Sequence, residues 1–288
     1  MSESPARLNV RKTYKLFIGG AFPRSESGRS YPVHGHDGEL LAYAAQGSRK
    51  DARDAVVAAR KAFGGWSGAT AYNRGQILYR VAEMLEGRAA QFAAEVAAAG
   101  GGKAAPAEAE VAAAIDRWVW YAGWSDKVAQ VAGAANPVAG PYFNFSVPEP
   151  TGVVAVVAPA DSSLLGLVSV VAPVIVTGNT AVVVASESRP LPAISLAEVL
   201  ATSDLPAGVV NVLTGRTAEL APVLAGHMDV NAIDLTGVGS GERKPLQELA
   251  ASNVKRVMCG NDHWAAMPGT QRLMSFLEIK TVWHPAGT

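Results

Sequence analysis

Between Thr151 and Met258 the chain repeats one rhythm: a short run of β-branched, almost uniformly apolar residues, then a segment of helical periodicity. A strand with one wet face alternates polar and apolar residues, so uniform runs demand cover on both faces, and parallel strands joined by helical crossovers supply it. The expected strands are Val153–Ala158, Ala181–Ala185, Val209–Leu213, Ala232–Leu235 and Val254–Met258. They alternate with helices near Leu164–Val176, Pro192–Leu200, Ala218–Ala225 and Pro245–Ser252. The fold class is α/β, a doubly wound parallel sheet. Thr151 to Gly178 is apolar enough to suggest a membrane span, but Pro159, Asp161, Ser162 and Ser163 cut it into pieces too short to cross a bilayer.

The flanks read differently. Residues 1–12 are polar, carry no apolar signal core, and are expected to form a flexible N-terminus. Residues 13–47 alternate short apolar runs with Gly19-Gly20, Ser27-Gly28 and Asp37-Gly38, the pattern of a small antiparallel meander. In the helical layer, 48–139, Ser48 caps a helix whose Ala52, Ala55, Val56, Ala59 and Phe63 share a face. Tyr72–Ala99 and Pro106–Val131 read as two further helices, with Trp118, Trp120, Tyr121 and Trp124 as packing between them. Tyr142–Val147 and Phe276–Trp283 read as strands, and the tail, apolar on one side, is expected to pair with Tyr142–Val147.

Charge excludes some partners: Lys plus Arg and Asp plus Glu number 25 each, so no basic footprint for nucleic acid is present. The single cysteine, Cys259, allows no internal disulfide and fits a reducing cytoplasm. It reads as a packed thiol. His34-Gly35-His36-Asp37 lies in a turn without a partner cluster, and no metal site is expected.

Several ordered stretches resemble the aldehyde dehydrogenase superfamily. They include Leu16-Phe17-Ile18-Gly19-Gly20, Tyr121-Ala122-Gly123-Trp124, Pro150-Thr151-Gly152-Val153-Val154, Gly178-Asn179-Thr180, Leu205 to Val212, and Thr236-Gly237. The resemblance implies a Rossmann-like NAD(P)-type domain at 151–260 and an N-terminal helical layer. It also implies a small β oligomerisation flap at 140–150 and 273–285. The family's catalytic domain is expected to be excised between Met258 and Leu273 and replaced by a loop, 261–272.

The resemblance also tests the chemistry position by position. The nucleophilic cysteine belongs in the missing domain. The oxyanion asparagine falls on Asp161, whose carboxylate would repel developing negative charge, and the general-base glutamate falls on Met258, whose thioether takes no proton. The lysine that holds the adenosine ribose falls on Val184, a loss of about 1.5–3 kcal/mol, while its companion survives as Glu187. Arg189 is a partial substitute to be tested. The phosphate-side motif corresponds to Gly237, Gly239, Ser240 and Gly241, with Val238 replacing its serine; a phosphate cradle and a plain strand-to-helix turn both remain open. No cofactor is assured, and NAD or NADP binding is expected to be weak.

The expected function is that of a pseudoenzyme subunit, inert alone, forming a homo-oligomer or a hetero-oligomer with a full-length aldehyde dehydrogenase through the flap. The alternatives are an NAD(P)-dependent aldehyde oxidoreductase active only with a partner, and a non-catalytic dinucleotide-binding protein.

Overall fold

The computed structural model describes residues 10–260 and 262–287. Residues 1–9 of the expected flexible N-terminus lie outside them, whereas Lys12 is held, its ammonium 3.0 Å from the Glu198 carboxylate.

The first sheet, β1 (Thr13–Tyr14), β2 (Ser30–His34) and β3 (Leu40–Ala45), has the order β1-β3-β2. It is mixed rather than an antiparallel meander, because β1 runs parallel to β3. The cause lies just downstream: Phe17 exchanges backbone hydrogen bonds of 2.9 and 2.7 Å with Val212, burying Leu16 and Phe17 on the central domain. A chain pulled away there cannot turn straight back into a hairpin.

Ser48 and Asp51 form a reciprocal capping box that starts α1 (Arg49–Gly68). The expected face is buried, except that Trp66 rather than Phe63 supplies its enclosed aromatic, donating its indole N–H to Ile175 at 2.8 Å. Each of the next two expected helices is broken in two. The first becomes α2 (Ala71–Glu86) and α3 (Ala89–Gly100), the second α4 (Ala104–Trp124) and α5 (Val128–Ala132). Gly101, with φ +118°, ends α3 in the left-handed conformation that glycine adopts without a Cβ penalty. Trp118 and Tyr121 are fully packed, and Trp120 and Trp124 lean on the same core.

Beyond two flap strands, β4 (Ala134–Asn136) and β5 (Tyr142–Pro150), the expected alternation appears. It runs β6 (Val153–Val157), α6 (Leu165–Val176), β7 (Thr180–Val184), α7 (Leu191–Ala201), β8 (Val210–Leu213), α8 (Thr217–Ala225), β9 (Ala232–Asp234), α9 (Arg243–Ala251) and β10 (Arg256–Met258). The sheet is parallel throughout, in the order β10-β9-β6-β7-β8. Alternate residues of β6 enter two cores: Val154 and Val156 join the cluster under α2, α4, α6 and α7, while Val153, Ala155 and Val157 join that under α1 and α8. The outermost strand departs from the expectation of uniform cover. It starts at Arg256, and both Arg256 and Val257 are exposed.

The chain ends in α10 (Gln271–Ser275) and β11 (Leu277–Pro285). The flap sheet has the order β11-β5-β4, so β4 belongs to the flap rather than the helical layer, and Leu273–Ser275 are helical rather than part of the flap. Among the described residues no helix is long and apolar enough to cross a membrane.

Candidate functional site

In doubly wound sheets, ligands bind at the carboxyl ends of the strands, where the strand order reverses. Here that point lies between β6 and β9, and their trailing segments hold Pro159 to Ser163 and Thr236 to Gly241.

The turn after β6 is already filled. Glu110, from α4, accepts hydrogen bonds from the backbone N–H groups of Leu164 at 3.0 Å and Leu165 at 3.1 Å, and from the Ser162 hydroxyl at 2.9 Å. A carboxylate of the chain thus sits on the positive end of α6, the place where a phosphate would be stabilised. Asp161 is exposed, and its carboxylate accepts the Trp264 indole N–H at 3.1 Å. Arg189 donates to the Asp161 carbonyl at 3.4 Å, so it points to this turn and not to Glu187.

Trp264 belongs to the segment that links β10 to α10, and that segment is clasped to the domain. Arg117, only 8% exposed, donates to the backbone carbonyls of Trp264 at 2.8 Å and Ala266 at 3.0 Å and to the Ser169 hydroxyl at 2.6 Å. Burial pushes its guanidinium below the ordinary arginine value, against the charge of Asp262. A second clasp is deeper. Arg272 of α10 forms ion pairs with Asp234 of β9 and with Asp262, and donates to the Thr236 hydroxyl at 2.9 Å. Burial pushes the Asp234 carboxyl up, opposed by Arg272 and two donor groups of Thr236. Between the clasps lies a cavity of about 240 Å³ lined by Arg117, Tyr121, Ser169, His263 and Arg272. Burial pushes the Tyr121 phenol up to about 12, so it stays protonated at neutral pH.

Met258 is buried and opposite Asp234 in the sheet. Cys259 is exposed, which corrects the expectation of a packed thiol: it follows the outer strand, and Gln247 is its hydrogen-bonding neighbour, at 3.5 Å.

A separate cleft of about 450 Å³ opens between α8 and α9. Ala218, Ala221, Pro222, Val238, Pro245 and Leu246 give it apolar walls that fit a planar base. Its polar rim fits the phosphates of a dinucleotide poorly. The charged residues lining it are two carboxylates, Glu187 and Glu242. Glu187 is engaged by Arg216 at 2.6 Å and by the Thr217 N–H at 3.2 Å, and Val184 is fully buried in the sheet core. Of the glycine cluster, Gly237 is fixed by packing, since a Cβ there would strike the Ala158 carbonyl and come within 2.6 Å of the Val157 oxygen. Gly239 and Gly241 have open space, and Ser240 is exposed in the short 3-10 turn Ser240–Glu242 before α9. Arg243 is occupied by the carbonyls of Val238, Thr236 and Gly260.

The sequence reading missed Arg117, Asp234, Trp264 and Arg272. Arg117 alone left a signal: it interrupts the apolar stripe Val111, Ala114, Trp118 and Tyr121 of α4. The partners of Arg272 come from two separate segments, Asp234 with Thr236 and Asp262, which no local pattern announces.

Sheet order, crossover helices and switch-point turns define a dinucleotide-fold protein of Rossmann-like type. The aldehyde dehydrogenase family model matches residues 23–267. A mitochondrial benzaldehyde dehydrogenase of Antirrhinum majus is 33% identical over 260 residues, covering 88% of this chain and 48% of that protein. The mouse cytosolic 10-formyltetrahydrofolate dehydrogenase is 32% identical over 259 residues, 87% of this chain and 28% of that one. Among solved structures, an NAD+ complex of a Bacillus cereus aldehyde dehydrogenase superposes with a TM-score of 0.79 at 26% identity, covering 85% of this chain and 50% of that one. A Staphylococcus aureus betaine aldehyde dehydrogenase in complex with NAD+ gives 0.80 at 25% identity, with the same coverage. The chain belongs to the aldehyde dehydrogenase family. It spans about half, or less, of the length of these relatives.

Proposed function

We propose that this chain is a non-catalytic member of its family, a pseudoenzyme subunit that works by assembling through its β flap, with itself or with a full-length aldehyde dehydrogenase. One observation carries the reading: the segment after β10 is clasped over the strand ends by Arg117 and Arg272, with Trp264 bonded to Asp161. That segment stands where a substrate carbonyl would have to approach an oxyanion donor, and Asp161 brings negative charge to the same place. Purified chain is expected to form no NADH or NADPH from aldehydes above the buffer rate. Aldehyde-dependent turnover by the chain alone would overturn the proposal.

A second reading, non-catalytic dinucleotide binding, is favoured by the cleft between α8 and α9. Its apolar walls would hold the base, while Glu110 on the α6 terminus and the two cleft carboxylates oppose the phosphates. NAD and NADP are therefore expected to bind weakly, with adenosine contributing most of the affinity. Titration calorimetry decides this reading, and a dissociation constant weaker than millimolar for both would remove it. A third reading, an oxidoreductase completed by a partner, predicts activity only in a mixture and is separated by the same assay run with and without a full-length relative.

A further inference from the structure

Arg117 is a buried cation whose partners are all neutral. It is 8% exposed, and its guanidinium donates to the Ser169 hydroxyl and to the carbonyls of Trp264 and Ala266. Among the described residues no carboxylate lies at ion-pair distance from it. The charge of Asp262 reaches it from further off, but that carboxylate is engaged by Arg272. A buried lysine could shed its proton in such a place, whereas a guanidinium keeps its charge at every physiological pH. Isolated buried charge is costly, and what offsets it is a partner of opposite sign.

The space for that partner adjoins the guanidinium. The cavity of about 240 Å³ is walled by Arg117, Tyr121, Ser169 and Arg272 from the domain and by Trp264 and Pro268 from the linking segment. Donors remain for an anion inside it. Arg117 gives its neutral acceptors three hydrogen bonds out of five N–H groups. The Tyr121 hydroxyl has no hydrogen-bond partner among the described residues, lies in the field of both Arg117 and Arg272, and keeps its proton at neutral pH. Ser169 is not a donor here, because its proton goes to the Leu165 carbonyl at 2.6 Å.

Size and charge narrow the ligand. The volume falls below the roughly 300 Å³ at which pockets for drug-sized ligands begin. The wall carries the guanidiniums of Arg117 and Arg272 against the single carboxylate of Asp262, with Asp234 behind Arg272 and outside the lining. One negative charge balances that excess, and a phosphate dianion would overshoot it. The Trp264 ring, 5.9 Å from the Arg272 guanidinium, and Pro268 offer an apolar surface to the rest of the molecule.

We propose that this cavity binds a small monocarboxylate, with its carboxylate on Arg117 and Tyr121 and a short apolar body against Trp264 and Pro268. The inference goes beyond assembly through the flap and does not depend on it. Because Arg117 also holds the Trp264 and Ala266 carbonyls, a bound carboxylate neutralises the clasp and keeps the linking segment in place.

The test is titration calorimetry on the full chain in a carboxylate-free buffer, with sodium butyrate, the neutral isostere butyramide and inorganic phosphate as probes. Butyrate is expected to bind saturably at one site, with a dissociation constant of about millimolar or tighter, and butyramide and phosphate at least about tenfold more weakly. Butyrate should also slow proteolysis between His263 and Gly269, since a ligand of the native state stabilises it by mass action. Arg117→Met is expected to abolish binding. Tyr121→Phe, which keeps the packing of the ring, is expected to weaken it about tenfold or more, so the assignment is testable even if the arginine variant fails to fold. Absence of butyrate binding overturns the proposal, as does butyramide or phosphate binding as well as butyrate does. Butyrate affinity unchanged in Tyr121→Phe would place the ligand elsewhere and overturn it too.

Discussion

At the scale of single residues, buried charge decides what the carboxyl-end face has become. Asp234 and Arg272 are almost wholly buried, and Thr236 and Asp262 complete their partners. Removing one member of such a pair leaves an uncompensated charge and costs about 3–5 kcal/mol. Asp234→Ala is expected to destabilise the chain by that amount in urea unfolding; a loss under about 1 kcal/mol would show that the pair is solvated. Arg117→Met keeps the length of the side chain but strands two carbonyls, and hydrogen bonds to charged groups are worth about 1.5–3 kcal/mol. Limited proteolysis should then cut between His263 and Gly269 sooner than in the parent chain. The glycines sort by space rather than by motif. Gly237→Ala drives a Cβ into the backbone of β6's end, whereas Gly241→Ala meets nothing within 4 Å. The first is expected to be clearly destabilising, the second to change stability by less than about 0.5 kcal/mol. Equal effects in thermal melts would refute this steric reading of Gly237.

At the scale of elements, the flap is tied to the domain by Arg256 of β10, which grips both oxygens of Glu278 on β11 at 2.7 Å. Those hydrogen bonds hold the Glu278 carboxyl below the ordinary glutamate value of 4.5, with burial opposing. A depressed acid stabilises the native state above its unfolded value and loses that stabilisation as pH falls through the folded one. The pair is about half exposed, so solvent screening limits it to less than about 1 kcal/mol. Amide exchange in β11 is therefore expected to show less protection at a pH below 4.5 than near neutrality, and Glu278→Gln should remove that difference. Persistence of the full difference in the variant would assign it to another group. The existence and type of the central elements were legible because their apolar runs are short, uniform and spaced by helices. The breaks between α2 and α3 and between α4 and α5 were not, since alanine-rich segments keep helical composition across the interruption. The first sheet was misread for a different reason: Phe17 and Val212 meet across the fold, and that distant bridge overrides local hairpin signals.

At the scale of the whole molecule, the chain is a Rossmann-like domain whose β6 and β9 strand ends are covered by the Arg117 and Arg272 clasps and whose β11 lies at the edge of the flap sheet. Mixed with a full-length relative, it is expected to change the assembled mass without adding turnover, which light scattering and an aldehyde assay on the same sample would check. By itself the sequence determined the parallel sheet, its two covering layers, the pairing of the tail with Tyr142–Val147 and the family, because hydrophobic periodicity and turn residues act locally and leave a local record. It also marked Asp161 and Met258 as departures from the family pattern. The tertiary structure alone decided that Glu110 occupies the α6 terminus, that Arg216 rather than Arg189 meets Glu187, and that Trp264 docks on Asp161. It alone exposed Cys259 and buried Arg117. The physical reason is separation along the chain. Each of these contacts joins segments whose meeting depends on the packing of every layer between them, and a charged residue does not encode in its neighbours which distant group will satisfy it.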